Sequence, residues 1–583
     1  MKKSTTTLSI MLMMVLSLLL AACSAREKGG KPSADWSRSL ALGDAVVGSI
    51  GIAVDGTGER VHLAWPFDEG EGVRIRYMQL NQQAVPVVTS DLVFPGLLRA
   101  PRIVSTGDGT VHLFWASRVP GDPGWELWHT LLDAKGGAIG ESIRLSLGGD
   151  DVGTYEVAAD NAGGAVVAWV PRGGGELKLL HLDQSGAIRS GPILVATQVD
   201  SPSLRVDDSG NVHLAWLAGT SFTYAEIPLA DLRPDDGRTV VDLVIGTGDG
   251  VVGPVLGIAD GYVYILWSIL KQSGLAAGTA DTEFVTFPYG EPRISQPSSI
   301  WITAEEEQPY LPYQGSLALT QLVDPPGVAW EATDFILHPS AMMGSNAELA
   351  VALTTNQQFR LDNHLQIAIS VFEDGGIKGY SFASKTEQIS DDPVLFVDSA
   401  GYLYVAWREG NRGGKIYYAT TEPTTRGSLD SLNAGDFLTA ILQGGMESLV
   451  SIAFMPFVGM GWLLPGFLVI GIWKLYKIHE SVTEPSSWPV LIIAMIIYFM
   501  MKIITLPTIV TYIPFSAWIY IPAAIATLLR IGMPLLILGI AFFVANKVRT
   551  RYSDSTLVFY IALAGIDAVL TLAVYGVNFL GVF

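Results

Sequence analysis

Over the first 420 residues, apolar and polar positions alternate in short runs, and six of these runs close on a tryptophan. They read VDGTGERVHLAW at 54–65, STGDGTVHLFW at 105–115, ADNAGGAVVAW at 159–169, VDDSGNVHLAW at 206–216, IADGYVYILW at 258–267 and VDSAGYLYVAW at 397–407. In VHLAW, Val61, Leu63 and Trp65 share one face of a strand while His62 and Ala64 share the other. A glycine stands six residues before the tryptophan at Gly109, Gly163, Gly210, Gly261 and Gly401, and the first copy, one residue longer, uses Gly58. An aspartate usually precedes it (Asp55, Asp160, Asp207, Asp260, Asp398), which predicts a β-turn whose carboxylate bonds back to the chain. Pro101, Pro202, Pro254 and Pro393 lie thirteen or fourteen residues before the tryptophan and suit the first position of a strand. After each tryptophan comes a polar turn and a second apolar run, at 73–80, 125–132, 176–183 and 415–421.

A unit of this kind, repeating at about fifty residues, cannot bury both faces alone and predicts an all-β propeller over 35–425. Successive tryptophans, from Trp65 through Trp115, Trp169 and Trp216 to Trp267, are separated by 50, 54, 47 and 51 residues. From Trp267 to Trp407 the interval is 140, nearly three units. Two degraded blades are expected there, one around PPGVAW ending at Trp330 and one at 365–382 with Ser370 where tryptophan would stand. Eight blades are therefore favoured, and seven follow if 300–350 is mostly insertion. The segment 35–58 parallels 141–164, so Trp36–Leu42 is expected to supply the outer strand of the last blade and cover its open edge.

The pattern changes after a linker at 426–446. An α-helical membrane domain of about four spans is predicted over 447–583, with spans near 449–473, 488–508, 522–546 and 556–578, each long enough for a hydrocarbon core of ~30 Å. Pro456 and Pro465 mean that the first span is kinked or preceded by an interfacial helix. Lys474 and Lys477 follow the first span, and Lys547, Arg549 and Arg551 follow the third, which places both loops in the cytoplasm and residue 447 and the C-terminus outside. An intramembrane ion pair between Arg530 and Asp567 is expected from their matching depths, with Lys502 as a competing partner.

The chain opens on Lys2 and Lys3, an apolar run from Ile10 to Leu20, and Leu20-Ala21-Ala22-Cys23. Residues 1–22 read as a lipoprotein signal peptide, Cys23 as the lipidated residue, and 23–34 as a tether. The last four residues of that opening resemble a bacterial lipobox, which implies an acylated Cys23 at the mature N-terminus and a plasma-membrane lipoprotein with its propeller on the extracytoplasmic face. Cys23 is the sole cysteine, so no intrachain disulfide forms. The net charge of −20 lies entirely within residues 1–426, because the seven basic and seven acidic residues beyond cancel. An acidic exported domain argues against nucleic acid as a partner.

Candidate chemistry is sparse. His62, His112 and His213 occupy one place in three repeats, where other copies carry Val166, Tyr264 and Tyr404, and they read as tolerated strand residues rather than a ring of ligands. The pairs Asp150-Asp151, Asp207-Asp208, Asp235-Asp236 and Asp391-Asp392 and the run Glu305-Glu306-Glu307 lack the spacing of a calcium loop and read as solvated turns. Trp125, Trp128 and Trp301 are candidates for a sugar platform or for core. No catalytic, metal or cofactor motif is found.

The phrase VDSAGYLYVAWREGNRGGKIYYATT resembles repeats of the sialidase-like, BNR-type propeller superfamily, over roughly 36–422. Glycosidic catalysis in that superfamily implies an arginine cluster, a Tyr–Glu pair and an acidic residue. Arg99, Arg102, Arg118, Arg205 and Arg408 stand outside the corresponding context, and no repeat keeps a full S-x-D-x-G-x-T-W box. The expectation is a membrane-anchored binding or scaffolding protein that recognises an envelope polymer, such as a glycan, or a partner protein. A glycan-active hydrolase and a subunit of a membrane complex are the alternatives.

Overall fold

A computed structural model describes residues 30–302 and 336–580, apart from short internal stretches. Seven four-stranded antiparallel sheets form among the described residues. Their innermost strands are Gly51–Val54, Leu97–Ser105, Val152–Ala159, Ser201–Val206, Gly250–Ala259, Ile336–Met343 and Ser390–Val397 in blades one to seven. Each lies beside the next, and the seventh returns to the first, so the ring closes on seven blades rather than the eight favoured by the tryptophan spacing. The sixth blade explains the difference. Its second strand, Leu349–Phe359, carries LAVAL where the seventh has LYVAW, so Leu353 occupies the tryptophan's place. The run 365–382, expected to be a separate blade core, forms that same blade's third and fourth strands. Trp330 lies outside the described residues.

The repeat residues have a common physical logic. Trp65, Trp115, Trp169, Trp216, Trp267 and Trp407 are buried between blades. The turn aspartate works with both oxygens. In Asp398 one oxygen accepts the Ala400 and Tyr402 N–H groups at 2.9 Å each, and the other accepts the Tyr404 hydroxyl at 2.9 Å. Asp207 repeats this with the Asn211 N–H at 2.7 Å and His213 Nε2 at 3.2 Å. His62 and His213 each place Nδ1 2.7 Å from a tyrosine hydroxyl (Tyr77, Tyr224), and His112 Nδ1 lies 2.9 Å from His129 Nε2. The repeated histidines are thus buried ties between strands.

Closure uses the N-terminal segment as expected. Leu40–Asp44 pairs with Lys415–Thr420 as the fourth strand of blade seven. Ser37 exchanges bonds with Thr420, and the Trp36 indole donates to Ser381 Oγ at 3.1 Å in blade six.

Six α-helices follow among the described residues: α1 (Pro423–Leu429), α2 (Ala434–Ala453), α3 (Met455–Tyr476), α4 (Ser487–Thr505), α5 (Ala523–Arg551) and α6 (Thr556–Leu580). The last four are long and apolar enough to cross a membrane. α1 docks on the Gln82–Gln83 turn of blade one. The region expected to be a linker contains α2, closed at its start by reciprocal Asn433–Asp436 capping bonds. Asp436 also pairs with Arg38 at 2.7 Å, fastening the helical part to the closing segment. α2 presents Phe437, Ile441, Leu442, Met446 and Leu449 outward and packs on α6, where the Ser448 hydroxyl donates to the Ala573 carbonyl at 2.8 Å.

Candidate functional site

An axial cavity of about 500 Å³ runs through the ring and is lined from all seven innermost strands. The end where these strands begin, marked by His338 and Asp392, is its mouth; the lining continues to Asp160 and Asn161 past the strand ends, the end at which the α1-docking turn lies. Within the cavity, Arg102 reaches Glu156 at 3.4 Å, and Arg205 spans toward blade six to donate to the Ala341 carbonyl at 2.6 Å. Burial lowers the Arg205 pKa, Glu156 opposes that, and Arg102 adds to it.

The mouth is shaped by a repeated backbone device. Register breaks between Arg99 and Arg102, Val252 and Val255, Leu337 and Ser340, and Asp391 and Val394. Each bulge holds a proline (Pro101, Pro254, Pro339, Pro393) preceded by a residue of positive φ: Ala100 at 50°, Gly253 at 126°, His338 at 55° and Asp392 at 53°. Of the prolines expected at strand starts, Pro101, Pro254 and Pro393 sit in bulges, where no ladder donor is needed, while Pro202 is the second residue of Ser201–Val206 and pairs in register with Trp216. Glycine is the usual occupant of such a conformation, and a non-glycine residue there costs on the order of 1–3 kcal/mol. Blades six and seven place His338 and Asp392 in it, and both line the cavity.

There His338 Nδ1 lies 2.7 Å from Asp391 Oδ1 and 3.3 Å from Asp392 Oδ1. Arg408 approaches the other oxygens at 3.6 and 3.5 Å, and the Thr354 hydroxyl donates to Asp391 Oδ1 at 3.1 Å. Arg408 Nε is buried without a partner among the described residues. Burial lowers the His338 pKa, but the bond to Asp391 and the charges of Asp391 and Asp392 outweigh it and hold the imidazole above its ordinary value. Burial raises Asp391, yet His338, the Asp392 N–H and Thr354 together pull it below the usual range. Asp392 is raised, by burial first and then by the neighbouring Asp391 charge. Asp391-Asp392 is thus a half-buried charged network rather than the solvated turn expected. Its three ligand atoms with His338 lie within 4.8 Å of one another, close enough to share a metal ion.

Sequence reasoning passed over His338. The available signal was the proline spacing: Pro339 stands fourteen residues before Leu353, as Pro393 does before Trp407. Other candidates scatter. Asp150 accepts from the Trp169 indole and Lys178, and Asp151 from the Trp125 N–H and Arg172. The Trp125 ring lies under Arg99 and Arg118, at 4.1 and 5.2 Å. Trp128 faces Trp115 across strands, and Trp301 is half-exposed. Cys23 and Glu305–Glu307 lie outside the described residues.

Among the helices, Asp567 of α6 takes Lys502 of α4, not Arg530 of α5, as its partner. Lys502 Nζ and the Tyr498 hydroxyl, one turn apart on α4, both donate to Asp567 Oδ2 at 2.6 Å. Sharing one helix face lets both reach the same oxygen.

No protein-family model matches the chain, and no curated protein matches it. Solved structures resemble its fold. The polysaccharide lyase Uly1 is 10% identical, with a TM-score of 0.40 over 69% of this chain and 94% of that one. A PL25 ulvan lyase bound to -[GlcA(1-4)Rha3S]- is 11% identical, with a TM-score of 0.41 over 67% and 95%. A GH43 endo-arabinanase from Bacillus licheniformis is 12% identical, with a TM-score of 0.28 over 62% and 98%. At these values we carry nothing from them to the residues of this chain.

Proposed function

We propose that the chain is a membrane-anchored binding protein of the bacterial envelope, whose propeller holds an envelope glycan in the axial mouth. The observation that supports this reading is the mouth itself. A cavity of about 500 Å³ falls within the ~300–1,000 Å³ of ligand pockets. It offers His338 and Asp392 at the end remote from α1 and the helices beyond, with Arg102, Glu156 and Arg205 deeper along its wall. Acceptors and donors held rigidly along the innermost strands suit a polyhydroxylated ligand better than a flat protein surface. In this reading Cys23 is acylated, residues 1–22 are removed, and the basic loops after the first and third spans lie in the cytoplasm. The propeller and the C-terminus then lie on the outer face of the plasma membrane. The sialidase-like resemblance fits the propeller but supplies no catalytic set.

One observation favours hydrolysis as a second reading. Asp391 is held low and Asp392 high beside each other, the split needed for a base and an acid. The test is binding of fractionated envelope saccharides to the full chain in detergent, with parallel assay for new reducing ends. Saturable binding that falls at least about tenfold, ~1.4 kcal/mol, in Arg408→Gln supports the reading. Absence of binding by every fraction, or undiminished binding by the variant, refutes it. New reducing ends would move the protein to the second reading.

A further inference from the structure

We propose that His338, Asp391 and Asp392 form a divalent metal site at the mouth of the axial cavity, suited to Zn²⁺ and leaving one position open toward the cavity. This deepens the reading of the mouth as a ligand seat, because an open metal position would take a ligand hydroxyl or carboxylate directly.

The geometry carries it. Nitrogen and oxygen ligands at about 2.0–2.1 Å from a tetrahedral zinc stand about 3.3–3.4 Å apart. His338 Nδ1 and Asp392 Oδ1 already lie 3.3 Å apart. His338 Nδ1 and Asp391 Oδ1, at 2.7 Å, need to open by only a fraction of an ångström as the ion replaces the proton between them. One imidazole with two carboxylates is a donor set that suits zinc, and three protein ligands are the number that leaves a fourth place free.

The surroundings hold the ligands as a metal shell does. Arg408 lies at 3.6 and 3.5 Å from the carboxylate oxygens turned away from His338, so it does not compete for the oxygens that face the imidazole. Thr354 bonds Asp391 Oδ1, and the Asp392 N–H donates to that oxygen at 2.8 Å. Such outer bonds orient ligands and set their basicity. With His338 neutral, the ion brings two positive charges to two carboxylates and one guanidinium, leaving a net positive charge that a hydroxyl or carboxylate of the ligand can meet. The same bulge in adjacent blades delivers His338 and Asp392, and both line the cavity, so the open position faces its volume.

The experiment uses the full chain in detergent, stripped with chelator and titrated with Zn²⁺ alone. Bound zinc per chain and the thermal midpoint of the propeller are read. The expected result is one equivalent retained after removal of excess, a raised midpoint, and affinity lowered more than about tenfold in both His338→Gln and Asp392→Asn. Asp392→Asn keeps the side-chain shape, and circular dichroism of the metal-free variants checks the fold. Zinc retained equally by both folded variants, or not retained by the parent, overturns the proposal. Saccharide binding unchanged by chelation would overturn the open metal position as the ligand's seat and leave the functional reading. Zinc bound with no saccharide binding would do the reverse.

Discussion

Replacing Trp36 by alanine should unlatch the ring. Trp36 is fully buried and packs with Ile367 and Ile369 of blade six and Trp407 and Tyr417 of blade seven. Its indole N–H donates to Ser381 Oγ at 3.1 Å. Truncating a buried tryptophan costs about 3–5 kcal/mol, and the lost bond adds about 1 kcal/mol. A propeller of ~390 residues unfolds with an entropy near 0.8 kcal/mol/K at ~2.1 cal/mol/K per residue, so the midpoint should fall by roughly 5–7 °C. Trp36→Phe keeps a ring and loses the bond, and should cost about 1–2 kcal/mol. Near-ultraviolet circular dichroism of the full chain in detergent, heated at neutral pH, reads the propeller's packing. A midpoint for Trp36→Ala within about 1 °C of the parent would refute the idea that the N-terminal segment locks blades six and seven together.

Three further outcomes are expected. Burial lowers His62 to about 4 and His129 to about 3, so the unfolded chain binds more protons below its own histidine pKa of 6.5. Stability should be full above pH ~6.5 and fall by up to about 1.4 kcal/mol per pH unit per group on acidification toward those values, and denaturant melts at pH 7 and 5 check this. Asp567→Ala should strand Lys502 inside the helices at a cost of about 3–5 kcal/mol, much of it recovered in the Lys502→Met, Asp567→Leu pair; strictly additive losses in detergent titrations would contradict a coupled pair. Cys23→Ser should abolish incorporation of a palmitate analogue, and equal labelling of variant and parent would exclude acylation there.

What could be read from the chain follows from what each feature depends on. The turn aspartate, the glycine and the strand tryptophan stand within one repeat, so each repeat declares itself locally, and the closing strand showed through the parallel between 35–58 and 141–164. Blade six was misplaced, with its core assigned to 365–382, because Leu353 fills the tryptophan's space with another apolar side chain, which preserves packing while erasing the marker. The mouth was hidden for a different reason. His338 and Asp392 lie 54 residues apart and meet only because two blades repeat one bulge. Asp391-Asp392 read as a polar turn because an acidic pair beside proline has no partner visible along the chain. Lys502 was recognised as a competitor for Asp567, but depth along a helix does not fix which face a side chain takes, and Tyr498 one turn earlier shows that face.

The central claim is that the axial mouth holds the ligand. Hydrogen exchange on the full chain, with and without the saccharide fraction that binds, tests it most directly. The account predicts slowed exchange confined to the cavity-lining parts of the innermost strands, at 102–105, 338–342 and 392–396, with the outer strands and α2 unchanged. Protection confined to the outer strands or to α2, with these segments unaffected, would contradict it.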